Sequence, residues 1–259
     1  MRLPYELQLG WRYTRAGRAT RRNGFISFIS GVSMFGIALG VAALIIVLSV
    51  MNGFQKEVTD RMLGVISHIE IFSRDGQALA DIDAIMAAAR KNPEVVGVAP
   101  FVAAQALLAR GEDMKGALIR GIDPKLEPQV TDISTTAQQG ALDKLVPGEF
   151  GIVLGIELAR SMFVRVGDQV TLVAPGGQVT PAGVMPRFKP FTVVGTFDSG
   201  HYEYDSALAM IHAEDAARVF RLEGPTGVRL KLKDLHQARE VADQLAATLP
   251  GQFLIRDWT

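Results

Sequence analysis

Hydrophobic and polar positions recur with different periods along this 259-residue chain, and the longest apolar stretch shows no period at all. Residues 25–51 contain no charged side chain, only Phe, Ile, Val, Leu, Met, Ala, Gly and a few serines whose hydroxyls can bond back to the preceding helical turn. A helix of this length reaches roughly 40 Å, against a hydrocarbon core of about 30 Å, so it can span a bilayer with some tilt. A buried core helix of the same length would normally carry a polar face. Past Asn52 and Gly53, the residues Phe54, Val58 and Met62 continue a stripe at four-residue spacing, and Glu57 and Arg61 share the opposite face. Gly64 is the better stop signal, so one helix is predicted to run to about Leu63 and to act as a stiff stalk.

The next unit reads strand, helix, strand over residues 68–72, 82–90 and 95–101, with Pro93 marking a turn. The same order returns near the end. Residues 227–232 read as a strand, 235–249 as an amphipathic helix with Ala238, Val241, Ala242 and Leu245 inward, and 253–256 as a strand. Two such units flanking the external region predict a split α/β domain with an insertion between its halves. Within the insertion, 104–109 and 117–122 read as a strand pair around Gly111, Glu112 and Asp113, 155–163 as a short helix, and 169–173 and 191–197 as two more strands. The fold class is therefore α+β: one transmembrane helix, then a split α/β subdomain interrupted by a β-rich one. The divisions are 1–24 as a basic tail, 25–52 as the span and 53–110 as stalk and first α/β part. They continue with 111–209 as the inserted β-rich part and 210–259 as the second α/β part.

Between the last two strands of the insertion lie residues 174–190, with four prolines and three glycines. That backbone is expected to form neither a helix nor a central strand. Structureless loops beyond roughly 12–15 residues are usually functional or disordered. Disorder would place polar residues at the tip, whereas here Val179, Val184, Met185 and Phe188 are apolar, beside Arg187 and Lys189. Restrained backbone with exposed apolar groups suits docking, because less entropy is lost on binding. A docking loop is the stronger reading, and a solvated loop the other.

Charge settles orientation and excludes some partners. Arg2, Arg12, Arg15, Arg18, Arg21 and Arg22 precede the span against Glu6 alone, which predicts a cytoplasmic amino terminus and an external region from about residue 52 onward. The tail also suits an amphipathic helix on the inner surface, with Leu3, Leu7, Leu9 and Trp11 apolar and Tyr5, Trp11 and Tyr13 at headgroup depth. The formal net charge is zero, so nucleic-acid binding has no electrostatic support. The absence of cysteine excludes disulfides and thiolate metal sites.

Candidate chemistry is sparse. Signatures of metalloproteases, nucleophile-elbow hydrolases and phosphate-binding loops are absent from the sequence. His201, Glu203 and Asp205 would share one face of a strand and form the nearest thing to a metal cluster, but a polar outer face explains them as well, and no metal is expected. Gly36 and Gly40 form a small-xxx-small pair that would let a second helix approach.

Several ordered motifs resemble one family. Arg12-Tyr-Thr-Arg15, the run from Gly36 to Ala43, and Leu48-Ser-Val-Met-Asn-Gly-Phe-Gln-Lys-Glu57 are similar to the opening of the lipoprotein-releasing ABC transporter permeases, the LolC/LolE family. Arg120-Gly-Ile-Asp-Pro124, Val166-Gly-Asp168 and Thr180-Pro-Ala-Gly-Val-Met-Pro186, leading into 191–197, continue the match in order over nearly the whole chain.

The resemblance implies a permease subunit that works with a second permease and a cytoplasmic ABC ATPase, ATP and Mg being bound on that ATPase and no cofactor in this chain. The pair would extract triacylated lipoproteins from the outer leaflet of the bacterial inner membrane and pass them to a periplasmic carrier. It also implies an external region of the MacB type and a carrier-binding hook built from Pro175, Val179, Pro181, Gly183, Val184, Met185, Pro186, Arg187, Phe188 and Lys189. Val47, Leu48 and Met51 would face the lipid cavity. Three further spans are expected in the family, so the chain ending at Thr259 is expected to be an amino-terminal portion. A MacB-type permease of another system, a membrane-anchored scaffold or sensor and, last, an anchored hydrolase are the alternatives.

Overall fold

The computed structural model describes residues 5, 9, 10, 12, 23–63, 67–74, 76–131, 133, 137, 141–180, 183–249 and 253–257. They fall into two compact units, 1–59 and 60–259. The first is dominated by helix α1 (Asn23–Leu63), 41 residues long, which continues through Gly53 as the apolar stripe predicts. Its segment Phe28–Gln55 has a mean hydropathy of 2.7 and none of it is buried within the protein. Of the surface helix expected in the tail, Tyr5, Leu9, Gly10 and Arg12 are described, and all four are helical and exposed.

The second unit begins with β1 (Ile69–Ser73), α2 (Ile82–Arg90), β2 (Val95–Arg110) and β3 (Asp113–Ile122). It continues with β4 (Gly151–Gly155), α3 (Ile156–Ser161), β5 (Gln169–Thr180), β6 (Gly183–Phe197), α4 (Tyr202–Ala207) and β7 (Leu208–His212). The last elements are α5 (Ala213–Phe220), β8 (Gly227–Leu232), α6 (Ala238–Thr248) and β9 (Phe253–Asp257). The strand order is β3-β7-β4-β6-β5-β2-β8-β1-β9, and β3 also pairs with β2. That extra pairing closes β2, β3, β7, β4, β6 and β5 into a six-stranded ring.

The two ends of the region do join in one sheet, as the repeated strand, helix, strand pattern predicts. β1 lies between β8 and β9, and residues 95–101 of β2 pair with β8 on its other side. Ile85, Met86 and Ala89 of α2, and Ala238, Val241 and Leu245 of α6, bury their apolar stripes with Ile69, Ile71, Val228 and Leu230. Ala242 is only partly buried. The ring has its own core, in which Val102, Leu108, Ile119, Ile152, Leu154, Leu172, Phe191 and Val193 are all essentially inaccessible to solvent.

Four sequence expectations are corrected. Residues 95–101 and 104–109 form one strand, because β2 leaves the α/β sheet near Phe101 and continues along β3 into the ring. The 209/210 division falls inside β7, which pairs with β3 and β4, so the chain stays in the ring through α5 and returns to the α/β sheet at Gly227. Residues 201–205 do not make a strand face: α4 is helical, and Asp205 is buried and accepts the Ser199 N–H at 2.8 Å. Finally, 174–190 is not an irregular loop. β5 and β6 continue through it as a hairpin, with Gln178 opposite Met185 and Thr180 opposite Gly183. Proline is tolerated there because each strand of a free ribbon has an outer edge that owes no hydrogen bond to a neighbour.

Candidate functional site

The hairpin divides at the rim of the ring. β5 pairs with β2 at residues 171–173, and β6 pairs with β4 at 192–197; between those limits β5 and β6 pair only with each other in the described ladder. A two-stranded ribbon is marginally stable on its own in water, so this arm depends on how its base is held.

The base is also where the ladder is interrupted. Ala174 pairs with Arg187 and the next partners are Gln178 and Met185, so Pro175, Gly176 and Gly177 lie opposite Pro186 alone. Pro175, Pro186 and Phe188 are exposed, the last at 60%. The backbones of Val179, Gly183, Val184 and Met185 lie in the arm's strands, and Pro181 lies outside the described residues. Of the ten residues expected to form a hook, the nine that are described lie along this arm.

Arg187 and Lys189 turn back toward the ring. Arg187 Nη1 donates to the Val219 carbonyl at 3.0 Å, in the last turn of α5, where a helix leaves carbonyls without helical partners. Lys189 Nζ stands 3.5 Å above the centroid of Phe150, and the Phe150 ring meets Phe191 edge to face at 5.6 Å. The Phe150 backbone is left-handed, at φ 51°, and its N–H donates to buried Asp215 at 3.3 Å; Gly148 N–H donates to the same carboxylate at 2.8 Å.

Beside the arm's base is an apolar cavity of about 630 Å³. Leu107, Leu118, Val173, Pro175, Pro186 and Ala207 contribute to its wall, and Gln105 carries the only polar side chain among its described lining residues.

A second constellation, not anticipated from the sequence, lies where the ring meets the α/β sheet. Fully buried Arg229 pairs with fully buried Glu127, whose other oxygen accepts Thr131 Oγ1 at 2.8 Å. Glu70 accepts from Arg256 Nη2 at 2.6 Å and faces Arg120 at 3.6 Å. Arg229 and Arg120 stand 5.4 and 6.0 Å from the Phe101 ring centroid. A Cβ at Gly227 would come within 2.5 Å of that ring, so only glycine leaves room for it. Burial by itself would raise the Glu70 pKa, but Arg120, Arg256 and Arg229 outweigh it and hold the carboxyl below its ordinary value. Burial and the neighbouring Arg229 lower Arg120, and burial raises Tyr204. The ion pairs are spread from residue 70 to residue 256, so no local spacing marked them.

In the first unit, Val47, Leu48 and Met51 are all more than half exposed along α1. The space a Cβ would enter at Gly36 and Gly40 is open. His201, Glu203 and Asp205 form no metal cluster, and no group of three potential ligands occurs among the described residues.

Comparison with known proteins fits this architecture. The profile of the MacB-like periplasmic core domain matches residues 30–248. The chain belongs to the MacB-like periplasmic core domain family. A lipoprotein-releasing system transmembrane protein LolC from Xylella fastidiosa is 46% identical over 256 residues, covering 99% of this chain and 61% of the relative. A lipoprotein-releasing system transmembrane protein LolE from Haemophilus influenzae is 30% identical, covering 96% of this chain and 60% of the relative. Among solved structures, the periplasmic region of MacB from Actinobacillus actinomycetemcomitans aligns with a TM-score of 0.46 at 14% identity, over 75% of this chain and 90% of that one. The chain spans about 61% of the length of the LolC relative. Split α/β sheet, inserted β ring and amino-terminal apolar helix are thus this chain's version of a MacB-like architecture.

Proposed function

We propose that this chain is the first span and periplasmic domain of a permease subunit in a lipoprotein-releasing ABC transporter, with the β5–β6 arm as the docking element for a periplasmic lipoprotein carrier. The observation that carries the reading is the arm itself: a proline-restrained ribbon free of the ring beyond residue 173, on a chain 46% identical to a LolC. Restraint in the free state reduces what must be ordered on binding, and exposed Phe188 supplies an apolar contact. Pro175, Val179, Pro181, Gly183, Val184, Met185 and Pro186 complete the proposed contact surface.

Under this reading the amino terminus is cytoplasmic, which the arginines before α1 support. Val47, Leu48 and Met51 would offer apolar surface to acyl chains, and Gly36 and Gly40 would admit a helix of a second permease. ATP and Mg would act on a separate cytoplasmic ATPase, whose closure would squeeze the lipid cavity. Each methylene kept out of water through such a transfer is worth about 0.8 kcal/mol.

The test is binding of the full chain, in detergent, to the periplasmic lipoprotein carrier, with and without residues 175–190. Binding that vanishes with the arm supports the proposal. Absence of binding by the folded, intact chain would overturn the carrier assignment and favour a MacB-type permease of another system.

A further inference from the structure

Arg187 and Lys189 carry positive charge at the base of an arm read as a docking element, yet both side chains reach inward. Their contacts close on each other. Arg187 holds the Val219 carbonyl at the end of α5. One turn earlier on the same helix, Asp215 accepts the backbone N–H groups of Gly148 and Phe150. Phe150 in turn presents its ring to Lys189, two residues along β6 from Arg187. The path therefore leaves the arm at Arg187, crosses α5 and the 148–150 turn, and returns to the arm at Lys189.

The position of this circuit gives it a purpose. It lies on the ring side of the bulge at 175–177 and 186, where the ladder is interrupted and the ribbon loses its neighbours. Phe150 is held in a left-handed conformation that costs a non-glycine residue energy, and such strain persists only where the surroundings over-determine it. Here the Asp215 acceptor, the Phe191 edge contact and the Lys189 ammonium all fall on that one residue.

We propose that Arg187 and Lys189 are positioning residues: through α5, Asp215 and Phe150 they set the direction in which the arm leaves the ring. The inference rests on the docking reading only for what the arm serves. Its test needs no partner, so its failure is distinct from failure of that reading.

The chain has no cysteine, so a labelled pair can be introduced cleanly. In the full chain in detergent, Gln178→Cys on the arm and Glu112→Cys in the exposed β2–β3 turn carry spin labels, and the distance distribution between them is measured. Arg187→Gln, Lys189→Met and Asp215→Asn should each broaden it and reduce amide-exchange protection over 178–185. Arg187→Lys, which keeps a donor for the Val219 carbonyl, should restore a narrow distribution; a merely disrupted fold would not be rescued in this way. Circular dichroism and thermal unfolding identify any variant that fails to fold, and Lys189→Met, at a half-buried position, keeps the test available if Arg187→Gln does so. Unchanged distributions in folded Arg187→Gln and Lys189→Met would overturn the proposal.

Discussion

The two ends of the β5–β6 hairpin are one ribbon under two regimes. Inside the ring each strand has neighbours on both sides, and Val170, Leu172, Phe191 and Val193 are buried to within 1%. Beyond the rim the same strands have only each other, and at the rim itself, opposite Val173, Phe188 is already 60% exposed. Phe188 and Phe191 are three residues apart, hence on opposite faces of the pleat. Apolar residues therefore do different work along one strand: those in the ring supply stability, and those on the arm are left available at little structural benefit.

The largest effect should come from the ring end. Phe191→Ala removes a fully buried ring that also supports Phe150, and should destabilise the second unit by about 3–5 kcal/mol in urea unfolding of the full chain in detergent. A loss below 1 kcal/mol would mean that the ring is not the stable scaffold of the comparison. A loss of similar size is expected from Glu127→Ala, because Arg229 is left charged and unpaired in the interior, about 3–5 kcal/mol for a broken buried pair. That variant tests whether the junction between ring and α/β sheet belongs to the same rigid body as the arm's base.

The regions that were legible in the sequence are those with an unambiguous period. α1 follows from its uncharged run, and the outer α/β units from amphipathic α2 and α6 beside alternating strands. The ring was harder to see. β4 is buried at every position, as is β7 except for half-buried His212, so neither shows the two-residue alternation that marks a strand. The ring is closed by β3 meeting both β2 and β7, the latter some ninety residues away, which local pattern does not encode. At the arm the prolines look like strand breakers. That inference holds for a central strand and fails at a free edge, where a missing N–H costs nothing. The location of the arm and its apolar content were nonetheless readable; the inward direction of Arg187 and Lys189 was not, since Val219 and Phe150 reach them only through the fold.

A pH titration sharpens the contrast at intermediate size. Glu70 has its folded pKa held below the ordinary 4.5 by Arg120, Arg256 and Arg229 acting against burial. Its contribution is therefore complete above the unfolded value and is lost as pH falls through the lower folded value. Stability of the second unit should drop below about pH 4.5, and Glu70→Gln should flatten that drop while lowering stability at neutral pH. An acid profile unchanged by the substitution would place the titrating carboxylates elsewhere. The arm, lying outside this network, should keep its spin-label distribution until the unit itself unfolds.

The smallest effect on stability, and the one that most directly separates the two ends, is expected at Phe188. Its side chain is largely in solvent already, so Phe188→Ala should change unfolding free energy by no more than about 0.5 kcal/mol. If the arm docks a carrier, the same truncation should weaken that binding by about tenfold or more, because exposed aromatic anchors commonly dominate such contacts. Phe191→Ala should show the reverse order, a large stability loss with binding reduced only as far as the folded fraction falls. A Phe188→Ala variant as unstable as Phe191→Ala would show the arm to be part of the ring's own core. A variant that is stable and binds normally would leave the arm's backbone and prolines, rather than its exposed aromatic ring, as the contact to test.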